Sequence, residues 1–149
     1  MAKIDVIVCP IDFSECSEFA LTYAASMAKT MGARLTLLHV LEPLSGIFPD
    51  DSLAVRAELE SGLRRERETE LQLAVKRCQQ GVPELEVRGE LVEGVAQAAI
   101  AKGAAECGAD LIVIGTHGRT GLGHLLLGSV AEKVVRTSTV PVLTVRKPG

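Results

Sequence analysis

The chain has 149 residues, 47% of them hydrophobic but only 3% aromatic, and carries 16 basic against 19 acidic side chains for a net charge of −3. That hydrophobicity excludes a disordered chain, and that charge excludes a protein working mainly through a basic nucleic-acid footprint. The length suits one domain, residues 1–149, with a core of Val, Leu, Ile and Ala, because three Phe, one Tyr and no Trp cannot fill it.

In chain order, Ile4–Cys9 is a short β-branched run stopped by Pro10 and reads as a buried strand. Ser14 offers an N-cap. Ala20, Ala24, Met27, Ala28 and Met31 recur at three-and-four spacing, so Ser14–Met31 contains an amphipathic helix, stopped by Gly32. Arg34–Val40 is a second strand. Pro43, Gly46 and Pro49 make Glu42–Asp51 a loop. A long helix follows from about Ser52 to Gln80, with Leu59, Leu63, Leu71, Ala74 and Cys78 on one face and Arg67 interrupting it. Glu60 and Arg64 form an i,i+4 pair in the favourable order. The mixed-sign run Arg64–Glu68 reads as a solvated face rather than a binding patch.

Gly81 and Pro83 end that helix, and Leu85–Val92 is a third strand. Gly94 and Gln97 fit the N-cap and N3 positions of a small helix that runs to Glu106 and closes at Gly108. Asp110–Gly115 is the clearest strand. After a glycine-rich segment, a short helix covers Val130–Thr137 and a last strand Val140–Val145. Strands alternating with helices mean an α/β domain with a parallel sheet and helices on both faces. No internal repeat or linker interrupts it.

No apolar run approaches the roughly 20 residues that span a bilayer. The N-terminus carries no apolar leader. Cys9, Cys16, Cys78 and Cys107 form no C-x-x-C pair. A cytoplasmic protein with reduced cysteines, acting on neither membrane nor nucleic acid, is the expectation.

Five of the 14 glycines fall within residues 115–129, between the strongest strand and a helix. Ligands of open α/β sheets bind outside the carboxyl ends of strands. Glycine lets backbone N–H groups approach an anion, and a helix N-terminus adds unpaired donors. Ser129 and Glu132 have the spacing of a capping box. A plain strand-to-helix turn takes about 2–6 residues, so this longer segment points to phosphate binding. It is not a P-loop, since no lysine lies in it and Lys133 is one turn into the helix. A dinucleotide fingerprint also fails: Pro10-Ile11-Asp12-Phe13-Ser14 follows the first strand, and Leu126 stands where a third glycine would be needed.

The spacing Gly115-x2-Gly118-x9-Gly128-Ser129 resembles the ATP-binding signature of the universal stress protein family. Around it, Gly-Ser-Val-Ala-Glu-Lys-Val-Val-Arg, Val-Pro-Val-Leu-Thr-Val-Arg, the opening Pro10–Ser14 and the strand ending His39-Val40 are also similar, so the resemblance covers essentially the whole chain. It implies an open five-stranded parallel sheet in the order 3-2-1-4-5, of the adenine nucleotide alpha hydrolase-like kind. The nucleotide would sit at the reversal between strands one and four. By resemblance, Pro10, Asp12 and Val40 belong to the adenine–ribose side, and Gly115, Gly118, Gly128, Ser129 and Val130 to the phosphate side. Arg119, in the same loop, reads equally as a phosphate contact or as a solvent-facing side chain. Ala131 stands where the family often has a hydroxyl. ATP is the expected ligand, with AMP or a cyclic nucleotide as alternatives, and Mg2+ or Mn2+ offsetting the phosphate charge.

The histidines of the loop, His117 and His124, share no metal-like spacing with a carboxylate or thiolate, and His39 reads as structural. Cys9 and Cys16 flank the expected adenine pocket, with no basic neighbour in sequence to activate them. Asp12 reads as a binding group, since no acid–base partner accompanies it. Pro141 places the last strand at a sheet edge, yet Val140–Val145 is too apolar to leave exposed. An isologous homodimer through that strand covers it, and the resemblance implies the same dimer. The expected function is a nucleotide-dependent switch or stress-tolerance factor with at most slow hydrolysis and no assigned catalytic residue. The alternatives are an adenylate-forming enzyme of the same architecture and a nucleotide-free interaction protein.

Overall fold

The structure, a computed structural model, describes residues 2–44, 53–117 and 127–148. Nine elements follow one another: β1 (Val6–Pro10), α1 (Glu15–Met31), β2 (Arg34–Leu41), α2 (Leu53–Gly81), β3 (Val87–Glu93), α3 (Ala96–Glu106), β4 (Leu111–Gly115), α4 (Ser129–Thr137) and β5 (Val142–Val145). The strands form one parallel sheet in the order β3-β2-β1-β4-β5. This is the order that the resemblance implied, with the reversal between β1 and β4.

Both faces of the sheet are covered, so the strands are apolar throughout and their alternation sorts side chains between two cores. Ile7, Cys9, Leu35, Leu37 and Val113 face α1 and α2, meeting Ala20, Ala24, Ala28 and Leu71. Val8, Leu38, Ile112 and Ile114 face α3 and α4, meeting Ile100, Ala104 and Val134. The inner stripe of α1 is alanine, which lets this helix lie close to β1 and β4. The core is thus aliphatic, each fully buried Leu, Ile or Val contributing about 1.5–3 kcal/mol.

The seam between β1 and β4 is fastened at one end and parted at the other. At the amino end, Asp110 Oδ2 accepts hydrogen bonds from the Asp5 N–H at 2.9 Å and the Val6 N–H at 3.0 Å. The Asp110 N–H donates to the Val6 carbonyl at 2.9 Å. Toward the carboxyl end, β1 pairs with β4 at Ile7–Leu111 and Val8–Ile112, while its pairing with β2 continues to Pro10–Leu38. Pro10 is therefore the last residue of β1, one beyond the expected end at Cys9. The Ile11 N–H donates to the Leu38 carbonyl at 2.8 Å. Alternate residues of a parallel ladder face alternate neighbours, so the N–H that proline lacks falls on the β4 side. The strand continues along β2 and separates from β4.

Helix ends differ from expectation where a glycine is needed one residue earlier. Ser14 caps α1 as expected, accepting from the Ser17 N–H at 3.3 Å, and Gly32 closes it at φ 68°. For α3, the N-cap is Val95 and not Gly94, which takes φ 140° in the turn before it. For α4, the N-cap is Gly128, and Ser129 is the first helical residue with no capping bond from a side chain. The capping box at Ser129 is therefore not formed, and Glu132 instead pairs with Arg136.

The long helix is the other correction. Its buried residues are Leu71, Ala74 and Val75, while Leu59 is 46% exposed. With 29 residues, α2 runs about 44 Å, longer than the strands of seven and eight residues beneath it. Its first turns therefore have no sheet to pack on. Strand β5 occupies the expected edge, though it begins at Val142. Val140 belongs to a turn in which its N–H donates to Ser138 Oγ at 3.0 Å.

Two outcomes follow. Asp110→Ala removes the clasp at the foot of the seam and lowers stability by about 1–2 kcal/mol, read as a shifted urea midpoint. Cys9 is wholly buried and its burial pushes the thiol well above its ordinary range. In native protein at pH 8 it resists iodoacetamide, and mass spectrometry finds it labelled only after unfolding.

Candidate functional site

Where β1 and β4 part, the carboxyl ends of β1, β2 and β4 form the floor of a cavity of about 540 Å³. Pro10, Ile11 and Asp12 enter it from β1, residues 38–42 from β2, and residues 114–117 from β4. Residues 128–131 at the start of α4 and Ala96 and Ile100 of α3 make one wall. Ser17 of α1 and Arg67 of α2 complete the lining. Of the residues expected from sequence, Pro10, Asp12, Val40, Gly115, Gly128, Ser129 and Val130 all line this one cavity. Gly118, Arg119 and His124 lie outside the described residues.

A strained turn sets Asp12. Phe13 has φ 64°, in the left-handed region that bulky residues avoid. Its backbone reverses the chain from β1 into α1. Asp12 Oδ1 accepts from the Ser14 N–H at 3.0 Å and from the Ser14 hydroxyl, and the Asp12 N–H donates to Ser17 Oγ at 3.2 Å. The carboxylate is thereby held at the head of α1, facing the cavity. His39 secures the turn from below. It is 6% exposed, its Nδ1 lies 2.7 Å from the Ile11 carbonyl, and its ring rests 4.7 Å from that of Phe13. A carbonyl only accepts, so Nδ1 carries the proton. His39 is structural, as the sequence suggested, and it also borders the cavity.

Two glycines are required by space. A Cβ on Gly115 would stand 2.9 Å from the Cys16 carbonyl oxygen, and one on Gly128 would stand 2.7 Å from that of Thr116. Both obstacles are backbone. Gly115 lets α1 approach the end of β4, and Gly128 lets the start of α4 fold back on the strand's exit, where its N–H donates to the Thr116 carbonyl. The first turn of α4 therefore faces the cavity, and its N-cap, Gly128, contributes no side-chain cap to its N–H groups. Thr116 is buried, and its Oγ1 lies 3.0 Å from His117 Nδ1.

Among the described residues, the acidic and basic side chains of the lining are Asp12, Glu42 and Arg67. Arg67 is the residue that sequence reasoning missed. The charged run read as solvated, but Arg67 is only 20% exposed and Nη1 donates to Glu70 Oε2 at 2.6 Å. The signal was present as a cation interrupting an apolar face. Cys9 and Cys16 lie close by without lining the cavity. Among the described residues, no group of three or more His, Cys, Asp or Glu is arranged to hold a metal ion. Nor, among those residues, is any helix long and apolar enough to cross a membrane.

Known proteins are similar to this chain in sequence and fold. A universal stress protein of Methanocaldococcus jannaschii, MJ0531, is 37% identical over 145 residues, covering 95% of this chain and 82% of that protein. A second from the same organism, MJ0577, is 30% identical over 153 residues, covering 95% and 94%. Its solved structure superposes with a TM-score of 0.79, covering 99% of each chain. The universal stress protein of Archaeoglobus fulgidus solved in complex with dAMP has a TM-score of 0.62 and covers 97% of this chain and 98% of that one. At 24% identity, that likeness is one of fold. The profile of the Universal stress protein family matches residues 3–146, nearly the whole chain that builds the sheet and its cavity. With sequence, sheet order and relatives in agreement, the chain belongs to the universal stress protein family.

Proposed function

We propose that the cavity binds ATP and that the protein works as a nucleotide-dependent switch or stress-tolerance factor in the cytoplasm. The observation that carries this reading is the start of α4. Gly128 brings a helix N-terminus whose N-cap has no side chain against the exit of β4, at the mouth of the crevice between β1 and β4. Unpaired N–H groups at a helix start attract phosphate. The volume, about 540 Å³, falls within the roughly 300–1,000 Å³ usual for small-ligand sites. A protein of the same fold holds dAMP, so the fold admits an adenine nucleotide.

In this reading the N–H groups of residues 128–130 hold the phosphates, with Gly118 and Arg119 assigned to the same task. Ser129 sits in the first turn with its hydroxyl uncommitted to capping and donates as well. Asp12 accepts from the ribose hydroxyls, and Pro10 and Val40 border the base. Ala131 offers a methyl group where a hydroxyl would add a hydrogen bond, which weakens the grip on phosphate. A divalent cation, Mg2+ or Mn2+, rides on the phosphates themselves. Slow hydrolysis at most fits the lining: Asp12, the obvious candidate base, has Oδ1 held by Ser14 and is assigned in this reading to the ribose, away from the phosphates. The apolar edge strand β5 supports a homodimer formed by pairing with its copy in a second chain.

Two measurements test this reading. Protein purified, denatured and cleared releases ATP into the supernatant, and calorimetry detects ATP–Mg binding at up to millimolar ligand. Gly128→Val, whose side chain meets the Thr116 carbonyl, abolishes that binding while the circular dichroism stays helical. Absence of nucleotide together with no calorimetric signal from the unaltered protein rejects the site. Light scattering at micromolar concentration reads twice the chain mass; a monomer contradicts the β5 dimer.

A further inference from the structure

We infer that Arg67 is the purine-recognition residue of the site, its guanidinium lying flat against the base where an aromatic ring would serve in other proteins. This rests on the nucleotide-binding reading above. Arg67 is the one Lys or Arg among the described residues that line the cavity. It is more enclosed than other arginines of α2, at 20% exposed against 31% for Arg56, 41% for Arg64 and 60% for Arg77.

Its helix explains the inward aim. Arg67 stands one turn before Leu71 on the same face. Leu71 is 2% exposed and packs on β3 at Gly89, where a Cβ would come within 3.1 Å of it. Leu71 thus lies over the sheet, and Arg67 lies over its carboxyl edge.

Position within the fold decides which part of a nucleotide Arg67 meets. Helix α2 packs on β3 and β2, whereas the close-approach glycines belong to β4 and α4. Strand β1 lies between β2 and β4, so these two sides of the cavity are about 10 Å apart at the strand spacing. With phosphates at the start of α4, the base reaches the β2 side, beside Arg67. Glu70 sharpens this assignment: its carboxylate holds Nη1 at 2.6 Å, neutralising part of the charge while fixing the plane.

The composition leaves the role open to an arginine. No Phe, Tyr or Trp lines the cavity among the described residues, and the His39 ring is already against Phe13. A guanidinium is planar and weakly hydrated, and it stacks on aromatic faces.

Calorimetry at fixed salt with ATP, adenosine and CTP compares the unaltered protein with Arg67→Ala and Arg67→Gln. Both substitutions keep a good helix former, and thermal unfolding checks that each variant is folded. The expected result is a loss of about tenfold in affinity, equal for ATP and adenosine and smaller for CTP, so that purine preference narrows. A loss confined to ATP, with adenosine unchanged, overturns the base contact in favour of phosphate pairing. Unchanged affinities in both variants overturn it outright and leave the nucleotide reading standing. An unaltered protein that binds none of the three ligands overturns that reading and this inference with it.

Discussion

The seam between β1 and β4 is the constraint from which the rest follows. Helices must cross to both faces of a parallel sheet, and the winding reverses once, here between these two strands. At a reversal the crossovers leave in opposite directions, which opens a crevice outside the carboxyl ends. Asp110 holds the strands together at the amino end, where no opening is wanted. Pro10 withholds the N–H that would have continued the ladder at the other end. The crevice follows from that reversal, and the seam beside it is held by Asp110 at the amino end and ends its β1–β4 pairing at Val8–Ile112.

Around that opening, the chain economises on atoms. Gly115 removes the Cβ that would strike α1, and Gly128 removes the Cβ that would strike the exit of β4. Alanines along α1 do the same for helix-to-sheet distance. Small residues bring backbone N–H groups and helix ends to the cavity, so a site suited to a polyanion needs little formal positive charge. A net charge of −3 is compatible with it for that reason. The strain at Phe13 has a purpose in the same scheme. It turns Asp12 toward the cavity, and the His39–Ile11 and Asp12–Ser14 hydrogen bonds hold the turn in place.

The strands and helices were legible because their signals are local, whereas the sheet order and most of the lining were legible only through the family resemblance. A buried parallel strand is a continuous apolar run, and a helix end is marked by Ser14 or Gly32 within a residue or so. The errors share a different origin. Pro10 was read as lying just beyond the strand because a missing N–H is unfavourable in general, but it is the last residue of β1, still paired with β2 after the pairing with β4 has stopped. Ser129 was read as a cap because the capping-box spacing was present, but the Thr116 carbonyl drew Gly128 into that position. Leu59 had the period of a core residue, but the sheet ends before reaching it. Arg67 had the period of a core residue too, and was set aside because it is charged.

Sequence alone determined the alternation of strands and helices, the aliphatic core, the membership of the family and the glycine spacing beside β4. Each of these depends on residues near one another in the chain, whose conformational and solvation preferences act without reference to distant partners. Tertiary structure alone decided that Arg67 joins Asp12, Val40 and Ser129 in the lining of one cavity, and which face of α2 meets the sheet. Those facts depend on where separate elements end relative to one another. Strand length, the parting of β1 from β4 and the close approach at Gly115 and Gly128 set those positions, and no local pattern encodes them.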